Sequence, residues 1–386
     1  MIADDLAVLV RVPSLTGDEL AAFEALAAMA ERLGLRAQIH SYDLEALRAH
    51  PDHPGEEVAR TALHGLEVTR PGTSGRRLAL NGHVDVVATG SEPWRHGDPF
   101  SGAIEDGWLY GRGAVDMKAG VIAALHAMAA AEGSAEIVLH AVASEEDGGL
   151  GTFAALERDA AFDAAIVTEP TGFDVVCAQA GALTFRATVP GRAAHAAYRL
   201  EGRSALDRYV ALHTRLAQHE RAVNADVSHP LMRELELPYP LVVGRIAGGE
   251  WSSSVPDRVV VEGRLGVPVG SSPQEAMAAF EAVVADGEQP AIAVEWPGGR
   301  FHPGQTAPDH PFVAQVAAAV EDERGAPARV AGVPWGADLR LYCARGIPAA
   351  MVGTHGIERA HAVDERVAIA DVESLVRILV RVIDAF

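Results

Sequence analysis

Three apolar runs with strand character, residues 77–80, 135–143 and 164–168, are each followed within a few positions by side chains able to ligate a metal. His83 and Asp85 follow the first run in Asn81-Gly82-His83-Val84-Asp85, Glu145 and Glu146 follow the second, and Glu169 follows the third. Ligand groups at the carboxyl ends of strands are the geometry of a site on an open α/β sheet, where the strand ends border one crevice. One such strand end would mean little. Three of them constrain the chain to an α/β arrangement that brings the groups together in space.

Asp116 joins this set from the stretch Leu109-Tyr110-Gly111-Arg112-Gly113-Ala114-Val115-Asp116-Met117-Lys118-Ala119-Gly120. It follows a flexible Gly-Arg-Gly turn and precedes residues 121–131, whose Ala, Leu and Met content predicts a buried helix. A helix cap is the plainer role, since Asp is favoured there and suits the positive end of the dipole. A dinucleotide loop fits worse, because the third glycine is missing where Asp116 stands and a carboxylate would repel a pyrophosphate. The acidic and histidine strand ends elsewhere in the chain favour a ligand.

At 386 residues the chain exceeds one ordinary core and suggests two domains. Its net charge of −21 argues against nucleic acid or an anionic membrane as partner, because both require a basic surface. Cys177 and Cys343 are too few for a disulfide framework and are expected to be reduced core thiols. The N-terminus lacks the basic segment of a signal peptide, and no apolar run approaches the roughly 18 residues of a membrane span, so the expected location is cytoplasmic.

In chain order, residues 6–12 predict a short helix stopped by Pro13. Thr16 and Glu19 read as a capping box for a helix carrying Leu20, Phe23, Leu26 and Met29, ended by Gly34. Residues 35–42 predict a strand, and the Gly-, Pro- and Asp-rich residues 94–108 an irregular loop walling the site. Gly181 marks a boundary, giving domain segments 1–181, 182–299 and 300–386. The middle segment reads strand 183–189, helix 204–219, strand 241–247, strand 258–267, helix 273–285, strand 292–295. That order predicts a split βαβ, ferredoxin-like α+β fold with helices on one face of an antiparallel sheet. His195 follows a small-residue turn after its first strand. Residues 297–311 form a return linker, followed by helix 312–323, strands near 328–330 and 349–352, the segment holding His361, and a closing helix, 370–383.

His83, Asp116, Glu146, Glu169 and His361 comprise two imidazoles and three carboxylates, a set suited to zinc or a similar divalent ion. Two metals sharing one carboxylate would use all five, and Asp116 is the candidate for sharing. Asp85 is then expected to fix the tautomer of His83. His126 and His140 lie in apolar elements and are expected in the core; His96 and His355 are the rival ligands.

Taken together, His83-Val84-Asp85, Tyr110-Gly111-Arg112-Gly113 with Asp116-Met117-Lys118, Ser144-Glu145-Glu146 with Gly148 and Gly149, Glu169-Pro170-Thr171 and His361 with Asp364-Glu365 closely resemble the M20 family of dinuclear zinc amidohydrolases. The resemblance spans nearly the whole chain. It implies a zinc-binding α/β catalytic domain built from the outer segments, with the middle segment inserted as a lid and dimerisation domain. It also implies two Zn2+, with Co2+ or Mn2+ as substitutes: His83 and Glu169 on one ion, Glu146 and His361 on the other, Asp116 bridging, and Glu145 as general base. A cis peptide after Asp116 and a role for His195 on the oxyanion in a partner subunit's site are further implications.

Two positions depart from the family. Ser253 stands where many relatives have asparagine before the lid proline, Pro256, and Gly266 stands where relatives often carry an arginine for the substrate carboxylate. Arg264 is the nearest arginine on that face, and Arg340 is a second candidate. The expected activity is hydrolysis of the amide of an N-acyl amino acid or short peptide, most like acetylornithine deacetylase. Succinyl-diaminopimelate desuccinylase, and a dipeptidase or carboxypeptidase, are the alternatives. An intact Glu145 argues against a metal-dependent binding protein without turnover.

Overall fold

The computed structural model describes residues 2–386 and divides into two units. The first comprises residues up to 178 with 304–331 and 337–386; the second comprises 179–303 with 332–336. The second unit therefore takes in residues 179–181 and 300–303, and a short return segment that no composition signal marked.

The first unit is built on a mixed sheet in which Arg36–Ser41, His64–Arg70, Glu136–Val142, Arg77–His83, Ala164–Val167 and Ala349–Met351 are successive neighbours. The first two pairings are antiparallel and the next three parallel. Arg77–His83 lies in the middle with His83 level with Val142 and Asn81 level with Val167. In register, three parallel strands end side by side, and the residues that follow them, Glu145, Glu146 and Glu169, meet His83 for that reason.

The helix Ala119–Ala130 is buried from Ala119 to Met128. A helix apolar on every side must be covered on every side, and this one packs against the Arg77–His83 strand, the N-terminal helix Ile2–Arg11 and the C-terminal helix Ile369–Ala385. Each Leu, Ile or Met so buried contributes roughly 1.5–3 kcal/mol. Gly120 sets the approach: a methyl group there would lie 2.2 Å from the Thr168 carbonyl oxygen, so alanine would force the helix start away from the Glu169 strand.

Several local expectations are corrected. Glu19 caps nothing with its side chain; the carboxylate turns back to the Gly17 N–H at 2.5 Å, and the Thr16 hydroxyl donates to Asp85 Oδ2 at 3.2 Å. The helix Leu20–Arg32 forms on its apolar face without a capping box. The wall loop is partly regular, since Trp108–Tyr110 pairs with Ala103–Glu105 on one side and Arg366–Ala368 on the other in a three-stranded sheet.

The second unit orders its strands Leu241–Gly248, Arg258–Val267, Gly181–Pro190, Ala293–Glu295, all antiparallel. This is the split βαβ order, and the helices Ala205–Ala225 and Pro273–Val284 share one apolar cluster with the sheet through Leu212, Leu216, Phe280, Phe185 and Val261. Ser204 caps the first helix, and Ser272 with Glu275 forms a capping box on the second. Among the described residues no helix is long and apolar enough to cross a membrane.

Candidate metal centre

His83 ends its strand fully buried, and its Nδ1 lies 2.8 Å from the main-chain carbonyl oxygen of Asp85. A carbonyl only accepts, so Nδ1 carries a proton, and Nε2 is the nitrogen left to face the cluster, where it donates to Asp116 while no cation is bound. Nε2 is 3.3 Å from Asp116 Oδ1 and 4.0 Å from Glu145 Oε2. The other oxygen of Asp116, Oδ2, is 3.2 Å from His361 Nε2, which is also 3.1 Å from Glu146 Oε1. Asp116 thus stands between two imidazoles with one oxygen directed to each. Ligand atoms of His83, Glu145 and Glu169 lie within 4.8 Å of one another, and so do those of His83, Asp116 and Glu146. Each group could hold a cation. The peptide between Asp116 and Met117 is cis, as the resemblance implied.

The electrostatics show what this donor set lacks. Burial pushes Glu169 up to about 8, with Asp116 adding repulsion against the pull of His83. Burial and Glu169 hold Glu145 well above the usual carboxylate range. Asp116 is held below that range despite burial, because His361 and His83 donate to it, while Asp116 and Glu146 raise His361 to about 10. Buried acids of one sign need either protons or cations. Divalent ions would replace the protons that the imidazoles and carboxylates otherwise share, and the mixed imidazole and carboxylate donors fit them.

Asp85 supports the site differently from expectation. Its main-chain carbonyl, not its carboxylate, orients His83; the nearer carboxylate oxygen is 3.7 Å from Nδ1. The carboxylate, which burial pushes up to about 7, accepts the N–H groups of Glu145 and Glu146, each at 3.2 Å. It therefore fixes the turn that carries both glutamates. Glu145 Oε1 is buried without a hydrogen-bond partner among the described residues, which leaves that carboxylate free to take a proton.

The two histidines expected in the core and the two rival ligands all have other partners. His126 Nε2 meets Asp5 at 2.9 Å, His140 Nδ1 meets the Tyr342 hydroxyl at 2.9 Å, His96 packs edge-on to Tyr110, and His355 pairs with Asp371 at 2.9 Å. Arg340 is a correction: it is neither exposed nor open to a substrate, being buried with Nη2 donating to the Gly148 carbonyl at 2.6 Å. It braces the Glu145–Gly149 turn from below. In the second unit, Arg264 is exposed and its guanidinium lies over the Phe301 ring at 5.3 Å. A side chain at Gly266 would begin 2.8 Å from the Tyr239 backbone, so the departure from the family there is enforced by packing. His195 is exposed and accepts the Ala197 N–H on Nδ1 at 3.1 Å, which puts its proton on Nε2.

Sequence reading missed four supporting charges. Asp147 accepts both bonds from buried Arg60 at 2.8 Å and the N–H groups of Glu57 and Val58. Glu365 accepts from Arg112 at 2.7 Å and from the N–H groups of Val115 and Asp116. The available signals were the third acid in Glu145-Glu146-Asp147 and the arginine inside the Gly-Arg-Gly turn.

Acids and imidazoles gathered beside the strand ends of an α/β sheet make a candidate metal centre, and comparison with known proteins identifies the family. The chain belongs to peptidase family M20/M25/M40, whose model matches residues 79–385. It is 30% identical over 399 residues to succinyl-diaminopimelate desuccinylase of Methylobacterium radiotolerans, covering 98% of this chain and 95% of that one. The fold is similar to that of an M20 family metallo-carboxypeptidase from Sulfolobus solfataricus, with TM-score 0.77, 16% identity and coverage of 98% and 97%. A dinuclear metal-binding peptidase of family M20 from Bacillus subtilis has TM-score 0.66 at 14% identity, with coverage of 100% and 97%. The protein is accordingly a metal-dependent amidohydrolase.

Proposed function

We propose that this protein hydrolyses the amide bond of N-acyl amino acids at a dinuclear centre bridged by Asp116. The observation that carries the reading is the pair of Asp116 oxygens, one at 3.3 Å from His83 Nε2 and the other at 3.2 Å from His361 Nε2. In this reading His83 and Glu169 hold one ion, Glu146 and His361 the other, and the ions are zinc, replaceable by Co2+ or Mn2+. Bound there, a divalent pair supplies Lewis acidity toward the scissile carbonyl and toward water.

The remaining steps fall to the chain's own residues. Glu145, whose proton affinity burial raises, acts in its ionised form: it takes the proton released by water and passes it to the leaving amine. Asp85 holds the backbone of Glu145 and Glu146 while that happens. His195 of the partner subunit donates its Nε2–H to the developing oxyanion, a contribution of roughly 3 kcal/mol. A homodimer formed through the second unit, acting there as a lid, is supported by its edge strand Leu241–Gly248, where Val242 is 55% and Ile246 58% exposed, and by exposed Leu206 and Val210 on the neighbouring helix. An open apolar edge of this kind invites pairing with its own copy.

The desuccinylase relatives move the first substrate class to test from N-acetylated to N-succinylated diamino acids. Arg264 remains the candidate for the substrate carboxylate; Arg340 is withdrawn. The protein is proposed to act in the cytoplasm. The test is a panel of N-succinyl, N-acetyl and dipeptide substrates with zinc-loaded enzyme. Turnover of N-acyl amino acids is expected, activity confined to dipeptides would make the protein a peptidase, and no turnover would leave a binding protein. Mixing inactive His195→Ala and Glu145→Gln proteins tests action across the dimer. Activity should return on subunit exchange, and its absence despite verified exchange would refute it.

A further inference from the structure

Outside the proposed ligands, one buried ion pair touches the main chain on both sides of the cluster. Arg112 is 2% exposed and Glu365 0%. Arg112 spends Nη1 on Glu365 Oε2 at 2.7 Å and on the Ala362 carbonyl at 3.2 Å, and Nη2 on the carbonyls of His361 at 3.1 Å and Ala88 at 3.3 Å. Glu365 spends its other oxygen on the N–H groups of Val115 at 3.0 Å and Asp116 at 3.1 Å. The pair therefore grips the backbone of Asp116 with one member and the backbone of His361 with the other.

His361 has need of such a grip. Its side chain is 52% exposed, and its φ of 60°, like that of Asp364, lies in the left-handed region that non-glycine residues rarely adopt. A residue in that conformation stays there only when its surroundings hold it. A further side-chain anchor of the segment to a distant residue is the Arg95 N–H donated to Asp364 Oδ1 at 2.7 Å. Arginine suits the task because its planar fork reaches several carbonyls and a carboxylate at once, whereas a lysine ammonium offers donors from a single nitrogen.

We propose that Arg112 and Glu365 are positioning residues that set the spacing between Asp116 and His361 and so tune the affinity of the ion held by His361 and Glu146 more than that of the ion held by His83 and Glu169. The inference rests on the dinuclear reading above. Neither residue touches an ion or substrate; both act through the main chain of residues that would.

The test is calorimetric titration of chelator-stripped protein with Zn2+, with wild type, Glu365→Gln and Arg112→Lys compared, and thermal melts run on each. Glu365→Gln should weaken the weaker of two binding steps by about 10–100-fold, the range for partners of metal ligands, and leave the tighter step within a few-fold. Arg112→Lys, which keeps the charge and loses the fork, should show a smaller loss in the same step. The absorption bands of the Co2+-loaded protein should shift in the same order, a signature that general destabilisation would not produce. Both ions binding to either folded variant with wild-type affinity would overturn the proposal. So would an equal loss in both steps, which is what mere loosening of the fold gives. If Glu365→Gln fails to fold, Arg112→Lys decides alone. Wild type taking up fewer than two ions would instead sink the dinuclear reading, and the two failures are thereby told apart.

Discussion

His83 and His361 face the same carboxylate from opposite kinds of structure. His83 is 1% exposed at the end of a central strand, its ring locked by a carbonyl two residues away. The side chain of His361 is 52% exposed, on a left-handed turn whose backbone carbonyl is gripped by Arg112, 249 positions distant in sequence. Sheet register and local hydrogen bonding assemble the first half of the centre as the sheet forms. The second half depends on tertiary contacts with few local supports, and regions of that kind open most readily. The difference teaches that the two sides of this carboxylate are unequally supported, and on the proposed dinuclear reading the ion on the His83 side is expected to be held more tightly.

The comparison is most severely stressed by variants that separate chemistry from metal binding. Glu145→Gln should lower kcat by more than about 10²-fold while both ions still bind. Glu146→Gln should instead release the ion on the His361 side. If Glu145→Gln released metal and Glu146→Gln did not, the assignments within the pair would have to be exchanged.

A smaller effect sharpens the contrast between the histidines. His361→Ala, which removes a proposed ligand outright, should weaken one binding step by at least the roughly 10–100-fold seen for partners of ligands and spare the other, whereas His83→Ala should cost the tighter step. Titration of both variants with Zn2+ checks this, and equal losses at both steps in both variants would erase the distinction.

Strand ends followed by His83, Glu145, Glu146 and Glu169 could be read from the sequence because an apolar run announces each one and parallel register does the rest. The second unit's strands and helices were legible for a similar reason, since each carries its own period and caps. Longer-range pairings were not. Arg112 and Glu365, or Arg60 and Asp147, look in sequence like ordinary solvated charges, and only the fold brings them together in the interior. Spacing located Asp85 beside His83 but could not say which of its oxygens faces the ring. Thr16 and Glu19 matched a capping box by type and interval, yet Asp85 and the Gly17 N–H offered their side chains nearer partners.

The smallest effect concerns the sheet beneath His83. His140, on the neighbouring strand, is buried, and burial lowers it to about 4 from an ordinary 6.5. The unfolded chain therefore takes up a proton at a higher pH than the fold does. Stability from a neutral His140 is full above pH 6.5 and is lost as pH falls toward 4. Between pH 7 and pH 5 the loss is about 2 kcal/mol. Denaturant unfolding of the metal-free protein at both values should show His140→Gln losing less stability than wild type, and identical losses would remove His140 as the cause.

The bridge itself is tested most directly by counting ions on Asp116→Ala. Chelator-stripped wild type titrated with Zn2+ should take up two ions per chain, and Asp116→Ala should lose affinity at both steps, because one carboxylate serves both ions. An Asp116→Ala protein that is folded and binds two ions with unchanged affinity would contradict the account.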